Sequence, residues 1–376
     1  MRVLVGSTAF FPWEGGAERQ GRLLASALRR VGVEVEYVAA RLPGSPRGEI
    51  VDGVPVHRLW AGPPGLPGRF RPAVFYFRLR EFLRREGRRF DVWQAQGAFD
   101  VVAPAMTDVR GDGNPAKVIR YASRNEWQRL RAVPCLPSRL AARLTLADCH
   151  VANSQRTLAV MTGEYGLPPA RCRVVPNMVA PMSRAATADA RARLGWPLGP
   201  PVVLCISNFH PGKNQRRLIE AWPLVLSKYR EARLVLVGDG VELQHCRLAV
   251  RTLQLTGSVV FTGRVTDPLV YLAAADVFAF PSGQEGQSNA LLEAMAAGMA
   301  IAVADCADNR ETIEPGRDAL SFAPDPVAVA DAVATLIGDR GMAGRLGAAA
   351  RTRAMDEHNP ERVAKSYLEI YGEVHG

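Results

Sequence analysis

The chain alternates short Val/Ile/Leu-rich runs with longer amphipathic segments from end to end. In the first half the runs are Arg2-Val-Leu-Val, Glu34-Val-Glu-Tyr-Val-Ala, Asp91-Val-Trp, Lys117-Val-Ile-Arg-Tyr, Cys149-His-Val-Ala and Arg173-Val-Val. In the second they are Val202-Val-Leu-Cys-Ile, Arg233-Leu-Val-Leu-Val, Val259-Val-Phe, Val277-Phe-Ala-Phe and Ala300-Ile-Ala-Val. Near-continuous apolar runs of strand length, separated by helix-length segments, predict parallel sheets covered by helices on both faces. At 376 residues the chain exceeds one hydrophobic core. The segment from Pro176 to Pro201 is rich in proline, alanine and glycine, with the best break near residues 178–184. The expected fold is α/β, with two doubly wound Rossmann-like domains over residues 1–180 and 181–357.

Composition adds a charge asymmetry. Residues 1–180 hold 27 Arg and Lys against 15 Asp and Glu, whereas the remainder holds 20 against 22, within a net charge of +10. The basic excess of the first half predicts an anionic partner there. The six cysteines, Cys135, Cys149, Cys172, Cys205, Cys246 and Cys306, form no C-x-x-C pair. Cys149, Cys205 and Cys306 lie in or beside apolar runs, which predicts buried thiols, a reducing compartment and no zinc site. The N-terminal MRVLVGST reads as a strand with no leader-like apolar region behind it. The longest uncharged apolar stretch, Ala294 to Ala304, is too short to span a bilayer. The expected location is cytoplasmic, or peripheral at the inner face of the membrane.

The most informative stretch is Pro281 to Gly298, PSGQEGQSNALLEAMAAG. A strand-like run ends in a Ser/Gly/Gln loop, Ser288 is placed to cap a helix from Asn289 to Ala297, and Gly298 to close it. A strand-end loop that opens a helix aims backbone N–H groups and a positive dipole end at one point, which suits phosphate. Glu285 and Glu293 stand eight residues apart, roughly 12 Å at about 1.5 Å per helical residue. That is comparable to the reach from a hexose across a diphosphate to a ribose. Each carboxylate can accept paired hydrogen bonds from sugar hydroxyls, so the pattern suggests a nucleotide-sugar site.

This stretch resembles the donor motif of family 4 retaining glycosyltransferases, which share the two-domain GT-B fold with its central cleft. Three further segments resemble the family in the expected order. Phe11-Pro-Trp-Glu-Gly-Gly-Ala-Glu-Arg follows the first strand, and Gly15 and Gly16 there would let the backbone approach the donor diphosphate or the acceptor. It lacks the G-x-G-x-x-G spacing of a nicotinamide site. Ile206-Ser-Asn-Phe-His-Pro-Gly-Lys-Asn ends the first strand of the second domain. The family places Gly-Arg and then Lys here to hold the diphosphate. Lys213 matches, Asn208 stands at the arginine position without a charge, and Arg216 or Arg217 is a candidate to compensate. Phe261-Thr-Gly-Arg-Val-Thr-Asp resembles the segment flanking the base, with Arg264 and Val265 in contact.

The resemblance implies roles within the donor motif too. Glu285 would grip the donor sugar and, with Lys213, carry catalysis; Gly286, Gln287, Ser288 and Asn289 would line the donor; Glu293 would bind the ribose. The segment 358–376 would cross back onto the first domain. No D-x-D occurs, so neither a metal nor a cofactor is implied. On the acceptor side the family's histidine is missing, leaving Glu14, Gly15, Arg120, Asn125 and Glu126 as candidates. The acceptor would be a glycan, a lipid-linked molecule or a small molecule. In residues 66–90, Phe75, Leu79, Phe82 and Leu83 fall on one helical face among eight arginines, which reads either as a membrane-surface helix or as a helix packed on the sheet. Two rival functions stay open, a sugar-nucleotide epimerase of the same fold and a non-catalytic partner subunit. No nucleic-acid-binding module accompanies the arginines.

Overall fold

The computed structural model describes residues 1–11, 15–41, 44–63, 65–97, 101–111, 113–123, 140–182 and 187–376. The chain divides into two compact units, Met1–Met178 with Asn359–Gly376, and Val179–His358. The first contains strands β1 (Arg2–Gly6), β2 (Glu34–Arg41), β3 (Gly48–Val51), β4 (Val54–Trp60), β5 (Val92–Gln96), β6 (Ala116–Tyr121), β7 (Cys149–Ala152) and β8 (Cys172–Val174). They form one sheet in the order β3-β4-β2-β1-β5-β6-β7-β8. All pairings are parallel except the β3–β4 hairpin.

Alternate residues of each strand feed two different cores, which is why the runs look continuously apolar. Val3, Val5, Val35, Val92 and Val118 face helix α1 (Gly16–Arg30) and the C-terminal helix, Pro360–His375. Leu4, Val38, Trp93 and Ile119 face α2 (Arg71–Glu86) and α3 (Val102–Asp108). The C-terminal helix buries Val363, Ala364, Tyr367, Ile370 and Tyr371, one helical stripe, in the first of these cores. The Tyr371 hydroxyl donates to Gln94 Oε1 of β5 at 3.3 Å.

The apolar face of α2 decides between its two readings in favour of a helix packed on the sheet. Phe75, Leu79 and Leu83 are fully buried in the unit's own core, with Phe82 packed against it, so this face is not offered to lipid. The helix presents Phe77, Arg78, Arg84 and Arg85 outward instead.

The second unit holds β9 (Val202–Ile206), β10 (Arg233–Val237), β11 (Val259–Gly263), β12 (Val277–Phe280), β13 (Ala300–Ala304) and β14 (Leu320–Phe322) in the all-parallel order β11-β10-β9-β12-β13-β14. Its helices are α4 (Thr187–Leu194), α5 (Gln215–Lys228), α6 (Leu243–Thr252), α7 (Pro268–Ala274), α8 (Asn289–Ala296), α9 (Ala307–Arg310), α10 (Pro326–Gly338) and α11 (Arg340–Glu357). Cys149, Cys172, Cys205 and Cys246 are buried free thiols, and burial pushes Cys149 and Cys205 up to about 12. Cys306 is half-buried, and Cys135 lies outside the described residues. Among the described residues no helix is long and apolar enough to cross a membrane, and no cluster of His, Cys, Asp and Glu could hold a metal ion.

One buried cation organises the entry to this second sheet. Arg191 of α4 is 2% exposed. Its Nε donates to the Ala274 carbonyl at 2.9 Å, Nη1 to the Leu198 carbonyl at 2.6 Å, and Nη2 to Asp276 Oδ2 at 2.6 Å. Asp276 also accepts the Val202 N–H at 2.7 Å, so one guanidinium fixes the starts of β9 and β12. Replacing Arg191 with alanine takes the donors from the Ala274 and Leu198 carbonyls and half-frees Asp276, which keeps 43% of its surface in solvent. The expected loss is about 2 kcal/mol, the cost of leaving a buried acceptor without its partner. Urea unfolding measures it, and a loss under about 1 kcal/mol would show the fork to be dispensable.

Candidate functional site

The strand order of the second unit reverses between β9 and β12. From β9 the chain moves through β10 to β11, then returns to β12 and proceeds through β13 to β14. Loops leaving the carboxyl ends of β9 and β12 therefore emerge side by side with no crossover helix between them, the usual place for a ligand in such a sheet. These loops are Ser207–Asn214 and Pro281–Ser288, the two segments singled out in the sequence.

Two hydrogen bonds to backbone carbonyls stitch the loops together. Gly283 N donates to the Gly212 carbonyl at 3.0 Å and Asn214 Nδ2 to the Pro281 carbonyl at 3.2 Å. Asn214 sits in the left-handed region at φ 56°, which asparagine tolerates better than most residues. Gln215, first in α5 and buried, reaches back with Nε2 to Ser207 Oγ at 2.7 Å and the Asn208 carbonyl at 3.0 Å. The turn after β10 braces the same loop from the other side. A Cβ on Gly238, at φ 135°, would meet the Ser207 carbonyl oxygen at 2.1 Å, so only glycine permits this approach.

At the junction Lys213 Nζ pairs with Glu285 Oε1. Ser282 Oγ donates to the same carboxylate oxygen at 2.8 Å. The two side chains keep 24% and 12% of their surface exposed, enough to be reached and little enough to strengthen the attraction between them. Ser288 caps α8 as expected, its Oγ accepting the Leu291 N–H at 3.3 Å, and Gly298 closes the helix at φ 67°. Gly286, Gln287, Ser288 and Asn289 are half-buried between Glu285 and the start of α8. Glu293 lies within that helix and is 5% exposed.

The remaining candidates are more dispersed. Asn208 is exposed, and its carbonyl is held by Gln215. Arg216 pairs with Glu220 at 2.7 Å and the Arg217 guanidinium bonds the Pro324 carbonyl, so both have partners away from Asn208. Arg264 is exposed just beyond β11, and Val265 packs on the core. In the first unit Gly16 opens α1, and Gly15 N donates to Glu18 Oε2 at 3.0 Å, so a carboxylate of the protein already occupies this helix end. Arg120 is 2% exposed; its guanidinium bonds Asn177 and lies beside the Tyr367 hydroxyl, inside the unit. Glu14, Asn125 and Glu126 lie outside the described residues.

Sequence reasoning missed the support beneath the β12 loop. Asn309 Nδ2 donates to the Ser282 carbonyl at 3.0 Å and the Ala304 carbonyl at 2.8 Å. Asp308 Oδ2 accepts the Glu285 backbone N–H at 2.9 Å. Both residues stand on α9, after the next strand. Nothing in Ala307-Asp-Asn-Arg310 as a string distinguishes them from a solvated turn.

With this geometry, similarity to known proteins becomes informative. Residues 200–339 match the family described as glycosyl transferases group 1, and residues 14–181 match glycosyltransferase family 4. A GDP-mannose-dependent alpha-(1-6)-phosphatidylinositol monomannoside mannosyltransferase of Mycobacterium tuberculosis is 38% identical over 178 residues, covering 44% of this chain and 46% of that protein. The match thus spans about half the length of that relative. A GDP-mannose-dependent alpha-mannosyltransferase of Mycolicibacterium smegmatis is 29% identical over 385 residues and covers 94% of each chain. Sucrose-phosphate synthase from Thermosynechococcus elongatus superposes with a TM-score of 0.81 at 22% identity, over 99% of this chain and 98% of that one. Anabaena HepE in complex with UDP-glucose gives 0.77 at 20% identity, over 99% and 100%. At such identities the structures speak for the fold alone, and that fold is GT-B, with two Rossmann-like domains.

Asn309 provides a check on the geometry that needs no ligand. Asn309→Ala leaves two buried carbonyls without their donor, and the expected loss of stability is about 2 kcal/mol. Chemical denaturation reads it directly, and a change below about 0.5 kcal/mol would mean that the loop is held by other bonds.

Proposed function

Because the chain belongs to the glycosyl transferases group 1 of glycosyltransferase family 4, we propose that it is a retaining enzyme using a nucleotide diphosphate sugar. It moves the sugar to a glycan, lipid-linked or small-molecule acceptor in polysaccharide or glycoconjugate assembly, without a divalent metal. The relatives named for GDP-mannose favour a guanosine diphosphate donor.

The observation that carries this reading is the meeting of Lys213 and Glu285 at the switch point between β9 and β12. The bond to be broken joins a sugar to a phosphate. Groups that bind those two pieces must therefore be neighbours, and an ammonium beside a carboxylate has the required chemistry on each side. Lys213 and the first turn of α8 hold the diphosphate, with Asn208 donating a neutral hydrogen bond. Glu285 accepts from the sugar hydroxyls and stabilises positive charge at the anomeric carbon. Glu293 takes the ribose, and Gly16, Arg264, Val265, Gly286, Gln287, Ser288 and Asn289 complete the donor contacts by the family motif. In the transfer the anomeric carbon loses its bond to the phosphate oxygen and gains one to the acceptor oxygen. The acceptor proton passes to the departing phosphate on the same face, so no strong base is required. Glu14, Gly15, Arg120 and Asn125 are assigned to the acceptor side by the resemblance alone.

A peripheral membrane contact through residues 66–90 rests on the outward basic face of α2, where the exposed Arg84 and Arg85 lie about two turns beyond the exposed Phe77. Binding to anionic vesicles at low salt that fades as salt rises is the expected outcome. No binding at low salt removes the membrane from the scheme.

The test of the function is Glu285→Gln, which keeps the shape and removes the charge. Turnover should fall about a hundred- to a thousandfold, while nucleoside diphosphate affinity should not weaken, since Lys213 loses a competitor for phosphate. Steady-state kinetics and calorimetry on one preparation give both quantities. Full activity in this variant sinks the catalytic assignment. Absence of transfer by the purified wild-type chain with any donor would instead favour the partner-subunit reading.

A further inference from the structure

A catalytic side chain on a loop keeps its place only if its backbone is held. For Glu285 the holding group is 23 residues away. Asp308 Oδ2 accepts the Glu285 N–H at 2.9 Å, and Asp308 is 5% exposed. A hydrogen bond to an ionised acceptor is shorter and stronger than a neutral one. The adjacent Asn309 ties the Ser282 carbonyl to the Ala304 carbonyl at the end of β13. Ser282 then donates to Glu285 Oε1 at 2.8 Å. One short helix, α9, thus fixes the loop at two points, the Glu285 N–H and the carbonyl of Ser282, the residue that anchors the Glu285 carboxylate.

We infer that Asp308 is a positioning residue for sugar transfer: by gripping the Glu285 backbone it sets where the Glu285 carboxylate meets the donor sugar. This rests on the assignment of Glu285 given above. The Asp308 carboxylate is buried and turns Oδ2 to a backbone N–H, so it acts on the reaction through Glu285 and nucleoside diphosphate affinity should not depend on it.

The experiment is a double-mutant cycle between Asp308 and Glu285, with amide hydrogen exchange at Glu285 as a second readout. In Asp308→Ala, kcat should fall about 10- to 100-fold, since a displacement near 1 Å is enough for a hundredfold loss. The nucleoside diphosphate Kd should stay within about twofold. Asp308→Asn keeps an oxygen acceptor and should recover most of the rate. In the Glu285→Gln background, Asp308→Ala should cost little more, because both changes act through one group. Losses that multiply independently overturn the inference, as does full kcat in Asp308→Ala when Glu285→Gln has lost its own. Exchange of the Glu285 N–H should quicken more than about tenfold in Asp308→Ala and stay near wild type in Asp308→Asn. Unchanged exchange in Asp308→Ala overturns the inference whatever donor the enzyme takes. Should the alanine variant not fold, Asp308→Ser, too short to reach the N–H, carries the same expectations. Full turnover in Glu285→Gln overturns the Glu285 assignment itself and the inference with it; that failure is recognisable because it appears with Asp308 intact.

Discussion

The reversal of strand order between β9 and β12 is the constraint on which the rest of the candidate site depends. In a parallel sheet every connection crosses a face, and right-handed crossovers send the helices after β9 and after β12 to opposite sides. The loops at the reversal then part toward opposite faces, which in such sheets leaves a crevice above the strand ends. Lys213 and Glu285 are 72 residues apart in sequence, and this topology alone brings them together. Their separation is fixed by the spacing of neighbouring strands rather than by loop conformation, because the loops are sewn to each other at Gly212, Gly283, Asn214 and Pro281.

Electrostatics then explains why a pair so placed is suited to exchange partners. An ammonium and a carboxylate in a partly dry site attract each other strongly, but each also pays for desolvation. A diphosphate offers Lys213 a denser negative charge, and sugar hydroxyls offer Glu285 several donors. On the proposed function the protein's own pair holds both side chains at the junction until the donor supplies these partners. With Asn208 supplying no charge, Lys213 is the cation at this junction, and backbone N–H groups at the start of α8 share the load.

Legibility in the sequence followed the range of each interaction. Every strand buried on both faces announced itself as an apolar run, because alternate residues serve two cores. The β3–β4 hairpin did not: Val54-Pro-Val-His-Arg-Leu-Trp alternates in burial and carries polar residues, including the buried Arg58. Three-residue β14 was too short to stand out. The cap at Ser288 and the stop at Gly298 were visible because capping acts within four residues. The face of α2 stayed open between two readings because an aromatic stripe looks alike whether lipid or a neighbouring sheet covers it. Arg191 was invisible for a related reason: its acceptors, the carbonyls of Leu198, Pro200 and Ala274 and the Asp276 carboxylate, lie beyond its own helix and leave no local signature.

The support under Glu285 bears on how far a motif can be trusted as chemistry. The glutamate and its flanking glycine supply a functional group and a flexible backbone, and flexibility alone would let the carboxylate wander. Its fixed position comes from Ser282 three residues before it, Lys213 on the preceding half of the sheet, and Asp308 and Asn309 beyond the next strand. Those partners lie on three different segments that meet at the carboxyl ends of β9, β12 and β13. A chain that kept the string but lost the strand order would keep the residues and lose the site. On the proposed function the fold is thus part of the catalytic apparatus, because it converts a loop glutamate into one held by its backbone, its carboxylate and its neighbour's carbonyl at once.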